Sequence, residues 1–101
     1  MTIYFVTRHQ GAKDWAVMQG IKVDQLIEHL DMSTIQQGDQ VLGSLPVNLV
    51  AELNALGARY FHLSLVVPAE LRGKEISAAL MQELGASLEE FYITKIGEKN
   101  A

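Results

Sequence analysis

The sequence predicts an α/β domain: a small open sheet, mostly parallel, with helices on both faces. Three observations predict it. Short runs rich in β-branched and aromatic residues alternate with stretches of helical spacing, the pattern of parallel strands joined by right-handed crossovers. The first run, Thr2-Ile3-Tyr4-Phe5-Val6, is apolar at consecutive positions, as a strand buried on both faces requires. Polar turns then stand between strands and helices, where open α/β sheets hold their ligands. A chain of 101 residues suits one domain. That domain is expected over 1–96, with 97–101 as a loose tail.

The elements follow in order. Thr7 to Gly11 is a polar turn, and Lys13 to Gln19, with Trp15 and Met18, is a two-turn helix ended by Gly20. Ile21 to Asp31 is ambiguous between helix and strand. Val23, Leu26, Ile27 and Leu30 fit a helix, but Gly20 leaves little room between two helices, so strand is preferred. Ser33 to Gln37 makes one turn with Ser33 as N-cap, and Gly38-Asp39 turns the chain. Gln40 to Leu45 is a short buried strand, and Pro46 takes the first helical position. Val47 to Leu56 is a helix with Leu49, Leu53 and Leu56 on one stripe, closed by Gly57. Ala58 to Val67 is the longest strand, stopped by Pro68. After the loop 69–75, Ser77 caps a helix through Leu84, with Leu80 and Leu84 inward. Leu88 to Ile96 is the last strand, with Phe91 and Ile93 on one face. The simplest strand order is 2-1-3-4-5.

Composition excludes several classes. The net charge is −4, whereas duplex-binding proteins carry a basic surplus. There are no cysteines, so disulfides, thiolate metal sites and cysteine nucleophiles are absent. No run approaches the length of a membrane span and no signal peptide is visible, so a cytoplasmic protein is expected. There is no Walker sequence, no G-x-G-x-x-G and no G-x-S-x-G.

Three polar turns are expected at one edge of the sheet: Thr7 to Gly11, Gly43 to Pro46, and Val67 to Lys74. Gly43 and Ser44 precede a helix, whose free N–H groups favour an anion. Arg8, Arg72 and Lys74 add positive charge, and Ser64 offers a hydroxyl at a strand end. This combination suits a phosphate, although polar residues and glycines fill such loops in any α/β domain. Of the three histidines, His9 stands at the mouth of the site as a general acid or base, or as a loop hydrogen-bonder. His29 and His62 are read as structural, and three scattered histidines do not make a metal site. Glu70 and Glu75 flank Arg72, and local pairing is their plainest role. No cofactor is expected.

Several segments resemble one family in order and spacing. They are Tyr4-Phe5-Val6-Thr7-Arg8-His9 with Gly11-Ala12, Trp15-Ala16, Glu28-His29-Leu30-Asp31 and Gly38-Asp39. Gly43-Ser44-Leu45-Pro46, Gly57-Ala58-Arg59-Tyr60, His62-Leu63-Ser64-Leu65 with Pro68, and Leu71-Arg72-Gly73 complete the set. Together they resemble the Csx-sixteen family of small CRISPR-associated proteins found beside type III CRISPR systems. The family more often has Thr at Ser44 and Arg at Lys74, and both changes keep the chemistry of the side chain. The resemblance implies a Rossmann-like homodimer acting as a ring nuclease on cyclic tetra-adenylate, which switches off an antiviral signal. Arg8 and His9 are then the candidate catalytic residues. Thr7, Gly11, Gly43, Ser44, Ser64, Arg72 and Lys74 are the candidate ligand-binding residues. Cleavage is expected to need no metal, the RNA 2′-hydroxyl being the nucleophile. A sponge that binds the ring without cutting it, and a protein that only docks to a partner, stand as alternatives.

Overall fold

The computed structural model describes residues 1–100. It is a five-stranded open sheet in the order β2-β1-β3-β4-β5, as expected. The strands are β1 (Ile3–Val6), β2 (Gln25–Ile27), β3 (Gln40–Gly43), β4 (Arg59–Ser64) and β5 (Ser87–Phe91). The helices are α1 (Gln10–Met18), α2 (Val47–Ala55) and α3 (Ala78–Glu83), with 3₁₀ turns at Met32–Thr34 and Ala69–Leu71. The small α/β fold is consistent with a Rossmann-like plan.

The central position of β1 follows from its two-sided apolar content. Tyr4 packs with Val41, Val50, Leu53 and Tyr60 under α2. Its neighbour Phe5 faces the other way, among Ala12, Trp15 and Ala16 of α1, Leu42, Leu63 and Met81 of α3. Successive strand residues point to opposite faces, so one four-residue strand serves both cores. The turn before β3 is held by buried Asp39, whose carboxylate accepts from the N–H groups of Thr2 and Gln36, both at 2.9 Å.

Four strands run parallel, but β5 pairs antiparallel with β4, Ser87 opposite Ser64. A crossover returns the chain to the opposite edge only if its helix spans the sheet. α3 has six residues, about 9 Å at 1.5 Å each. The chain therefore enters β5 from the edge where it left β4. The Arg59 guanidinium makes two hydrogen bonds to Glu90 on β5, of 2.7 and 2.8 Å, which bind this edge strand to its neighbour.

Several boundaries differ from the sequence reading. α1 begins at Gln10 and so includes Gly11. The strand expected over Ile21–Asp31 is real but only three residues long. Ser33 is not an N-cap: Asp31 caps the turn, accepting from the Ser33 N–H and hydroxyl at 3.0 and 2.7 Å. These bonds, the side-chain one foremost, hold the Asp31 carboxyl below its ordinary value. Pro46 is the N-cap of α2 rather than its first residue. The inward residues of α2 are Val50 and Leu53, while Leu56 is exposed. β4 stops at Ser64, three residues short of Val67. β5 ends at Phe91, five short of Ile96. Phe91 is exposed and faces His62, while Ile93 packs on the α2 core. Ser77 caps α3 as expected, accepting from the Leu80 N–H at 3.2 Å. Met81 is the buried residue of α3, with Leu80 and Leu84 half-buried. Of the expected tail, 97–100 holds no helix or strand and Ala101 lies outside the described residues.

Candidate functional site

β1, β3 and β4 are parallel, so the three polar turns that follow them emerge at one edge, as the sequence implied. They enclose a cleft of about 640 Å³. Its floor is apolar, with Phe5, Leu63, Leu65, Ile76 and Met81. Its rim carries Thr7, Arg8 and His9 after β1, Gly43 and Ser44 after β3, and Lys74 from the loop before α3. Glu28 and His29, beyond the end of β2, form a further stretch of rim.

Six of the nine sequence candidates therefore meet at the cleft, and three do not. Gly11 lies inside α1, where a Cβ would come within 1.7 Å of the Ile76 carbonyl oxygen. It allows close packing of α1 against the segment leading into α3. Ser64 ends β4 opposite Ser87, and Arg72 follows the 3₁₀ turn; neither lines the cleft. His29, read as structural, is instead an exposed residue of the rim. The position of Glu28-His29 just past a strand was the available signal, obscured because the end of β2 was unknown.

Local bonds order each turn. The His9 N–H donates to the Thr7 hydroxyl at 3.1 Å, so the threonine folds its own loop. His9 Nδ1 lies 3.4 Å from the Glu75 carboxylate, so Glu75 pairs with the histidine and not with Arg72. Gly43 is required where β3 passes β1, since a Cβ there would lie 2.8 Å from the Val6 carbonyl oxygen. The Ser44 hydroxyl donates to the Leu63 carbonyl at 3.3 Å, which leaves its lone pairs, not its proton, free for a ligand. Buried Tyr60 latches this loop from below. Its hydroxyl accepts from the Leu45 N–H at 2.9 Å and lies 3.1 Å from the Gly43 carbonyl and 2.7 Å from His62 Nδ1. One hydroxyl proton serves either the carbonyl or the ring, and in the first case the ring donates. Burial pushes the Tyr60 phenol above its ordinary value, partly opposed by the bond from Leu45.

Two nine-residue helices begin at this edge, α1 at His9 and α2 at Pro46, and neither is capped by a side chain. Their first N–H groups have no partner inside the helix and lie at the positive end of its dipole. Arg8 and Lys74 join them at the rim, which also carries the Glu28 carboxylate. Phosphate oxygens suit such a rim, and flat apolar groups such as bases suit the floor. Among the described residues no group of three or more His, Asp and Glu could hold a metal ion. Among the same residues no helix is long and apolar enough to cross a membrane.

A family described as "Putative CRISPR-associated protein (Cas_VVA1548)" matches residues 4–94. No curated protein and no solved structure matches the chain. The family match runs from β1 to the segment beyond β5 and takes in every turn of the cleft, so the chain belongs to this family of CRISPR-associated proteins.

Proposed function

We propose that this protein is a ring nuclease of the Csx-sixteen type, which binds cyclic tetra-adenylate and cleaves it without a metal ion. Two copies act together as a homodimer in the cytoplasm, and cleavage ends type III CRISPR antiviral signalling. The observation that carries this reading is the cleft: two helix N-termini without side-chain caps, Arg8, Lys74 and two histidines around an apolar floor. A ring of alternating phosphates and purines has the matching chemistry. Its near-twofold symmetry suits a symmetric dimer that presents the same rim to both halves.

The ring supplies its own nucleophile. The 2′-oxygen attacks the adjacent phosphorus, the bond from phosphorus to the 5′-oxygen breaks, and the 2′-hydroxyl proton leaves as the 5′-oxygen gains one. The product is a linear adenylate with a 2′,3′-cyclic phosphate. Holding the three atoms in line contributes several of the ~7–11 kcal/mol available to well-oriented reactions. Arg8, Lys74 and the α2 N–H groups stabilise charge growing on the phosphoryl oxygens. His9 moves a proton, typically worth about 10²–10⁴-fold.

The test is incubation of purified protein with internally labelled ring over several turnovers, with and without a chelator. Linear product bearing a 2′,3′-cyclic phosphate in both conditions is expected. Tight binding of an intact ring means a sponge, no binding means a docking protein, and activity lost with chelator and restored by Mg²⁺ or Mn²⁺ contradicts the metal-free route.

A further inference from the structure

The reaction needs two proton transfers, one from the 2′-hydroxyl and one to the 5′-oxygen, and His9 accounts for one. The cleft holds a second histidine. His29 lies two residues beyond β2 and His9 three beyond β1, and these strands pair in parallel with Val6 beside Ile27. The Thr7 N–H bonded to the Ile27 carbonyl at 2.9 Å carries that pairing past the end of β1. Paired strands run about 4.8 Å apart, so both histidines rise from one corner of the carboxyl edge, and both line the cleft.

His29 has none of the marks of a structural histidine. His62 Nδ1 is bonded to Tyr60, but exposed His29 makes no side-chain hydrogen bond or ion pair among the described residues. Redirecting its ring towards a ligand breaks no bond within the described residues. His9 is held differently, with Nδ1 turned to Glu75 and no hydrogen bond to Nε2 among the described residues. That contact is an ion pair whenever the ring carries its second proton.

We propose that His29 and His9 form an acid–base pair across the bound ring, an inference that rests on the ring nuclease reading. His29 takes the 2′-hydroxyl proton as the bond from the 2′-oxygen to phosphorus forms. His9, ion-paired with Glu75, gives its proton to the 5′-oxygen as the bond to phosphorus breaks. Solvent exchange restores both rings, and no further reactant is consumed. The charged groups around the pair are Arg8 beside His9, Glu28 beside His29, Glu75 against His9 and Lys74 on the rim.

The experiment is single-turnover cleavage of cyclic tetra-adenylate across pH by the parent, His29→Ala and His9→Ala proteins. Binding is measured separately with a 2′-O-methyl ring, and folding by circular dichroism, which exposed positions should leave unchanged. The parent should show a bell-shaped profile, and each variant should bind normally and cleave about 10²–10⁴-fold more slowly with one limb gone. A ring with sulfur in place of the 5′-oxygen has a leaving group that needs no proton. It should restore His9→Ala and not His29→Ala. A His29→Ala protein that cleaves like the parent overturns the pair while leaving the ring nuclease reading intact, and sulfur that rescues His29→Ala overturns the roles assigned. A parent that binds but never cuts the ring removes both.

Discussion

Single residues decide how the rim is built. Arg8 is exposed on the β1 turn, and an Arg can hold a phosphate through two parallel hydrogen bonds. Arg8→Ala should bind the ring several-fold more weakly and with a shallower salt dependence, because one fewer phosphate is neutralised. Titrations of the 2′-O-methyl ring at several salt concentrations measure both, and an unchanged affinity and slope would remove Arg8 from the site. Tyr60 acts from below. Tyr60→Phe leaves the Leu45 N–H without its buried acceptor, a loss of about 1–3 kcal/mol. Burial raises the Tyr60 phenol, so the unfolded chain loses that proton first. Its contribution is complete below the ordinary tyrosine value near 10 and falls as pH rises beyond it. Melting curves should show Tyr60→Phe less stable at neutral pH and with a gentler alkaline decline; an identical melt at neutral pH would mean the latch contributes nothing. At this scale the sequence was partly legible. Strand-then-turn order brought Thr7, Arg8, His9, Gly43, Ser44 and Lys74 to one cleft. Arg72 and Ser64 do not line it, because residues near one sheet edge share a location without sharing a direction. The place of His29 on the rim was not legible, because its setting depends on where β2 ends.

Elements were legible where the apolar pattern is strong and obscure where packing decides. β1 needed only its own residues, since Tyr4 and Phe5 alternate between two cores. β2 has no such signature: at the sheet edge only three residues pair, fixed by neighbours such as Asp24, whose carboxylate takes the Ile3 N–H at 2.8 Å. The start of α1 was misjudged because Gly11 looks like a turn residue, yet it is there to let α1 approach the chain before α3. Its Cβ would strike the Ile76 carbonyl, and a backbone atom cannot swing aside. Gly11→Ala should therefore separate these elements and destabilise the fold by about 3 kcal/mol, at the upper end of overpacking costs. Denaturant melts check this. Gly97→Ala, with open space around its Cβ, should be nearly neutral, and equal stability of the two variants would contradict the close packing.

The whole molecule places an apolar-floored cleft, with Arg8 and Lys74 on its rim, at the carboxyl edge of the parallel strands. The strand order was legible because each element was short and the alternation regular. The reversal of β5 was not, because helix length at α3, rather than strand pattern, sets the direction of return. Exposed apolar groups remain on the surface, among them Val17, Leu26 and Val66. A homodimer that covers part of this surface is expected, and sedimentation that finds monomers with and without the ring would contradict it. The proposed function puts the ring in the cleft at the carboxyl edge. The most direct measurement is an amide-resolved nuclear magnetic resonance titration of the labelled protein with the 2′-O-methyl ring. Saturable shifts are expected, concentrated at Thr7, Arg8, His9, His29, Gly43, Ser44, Val47, Asn48 and Lys74. Shifts confined to other faces of the sheet, or none at millimolar ring, would contradict it.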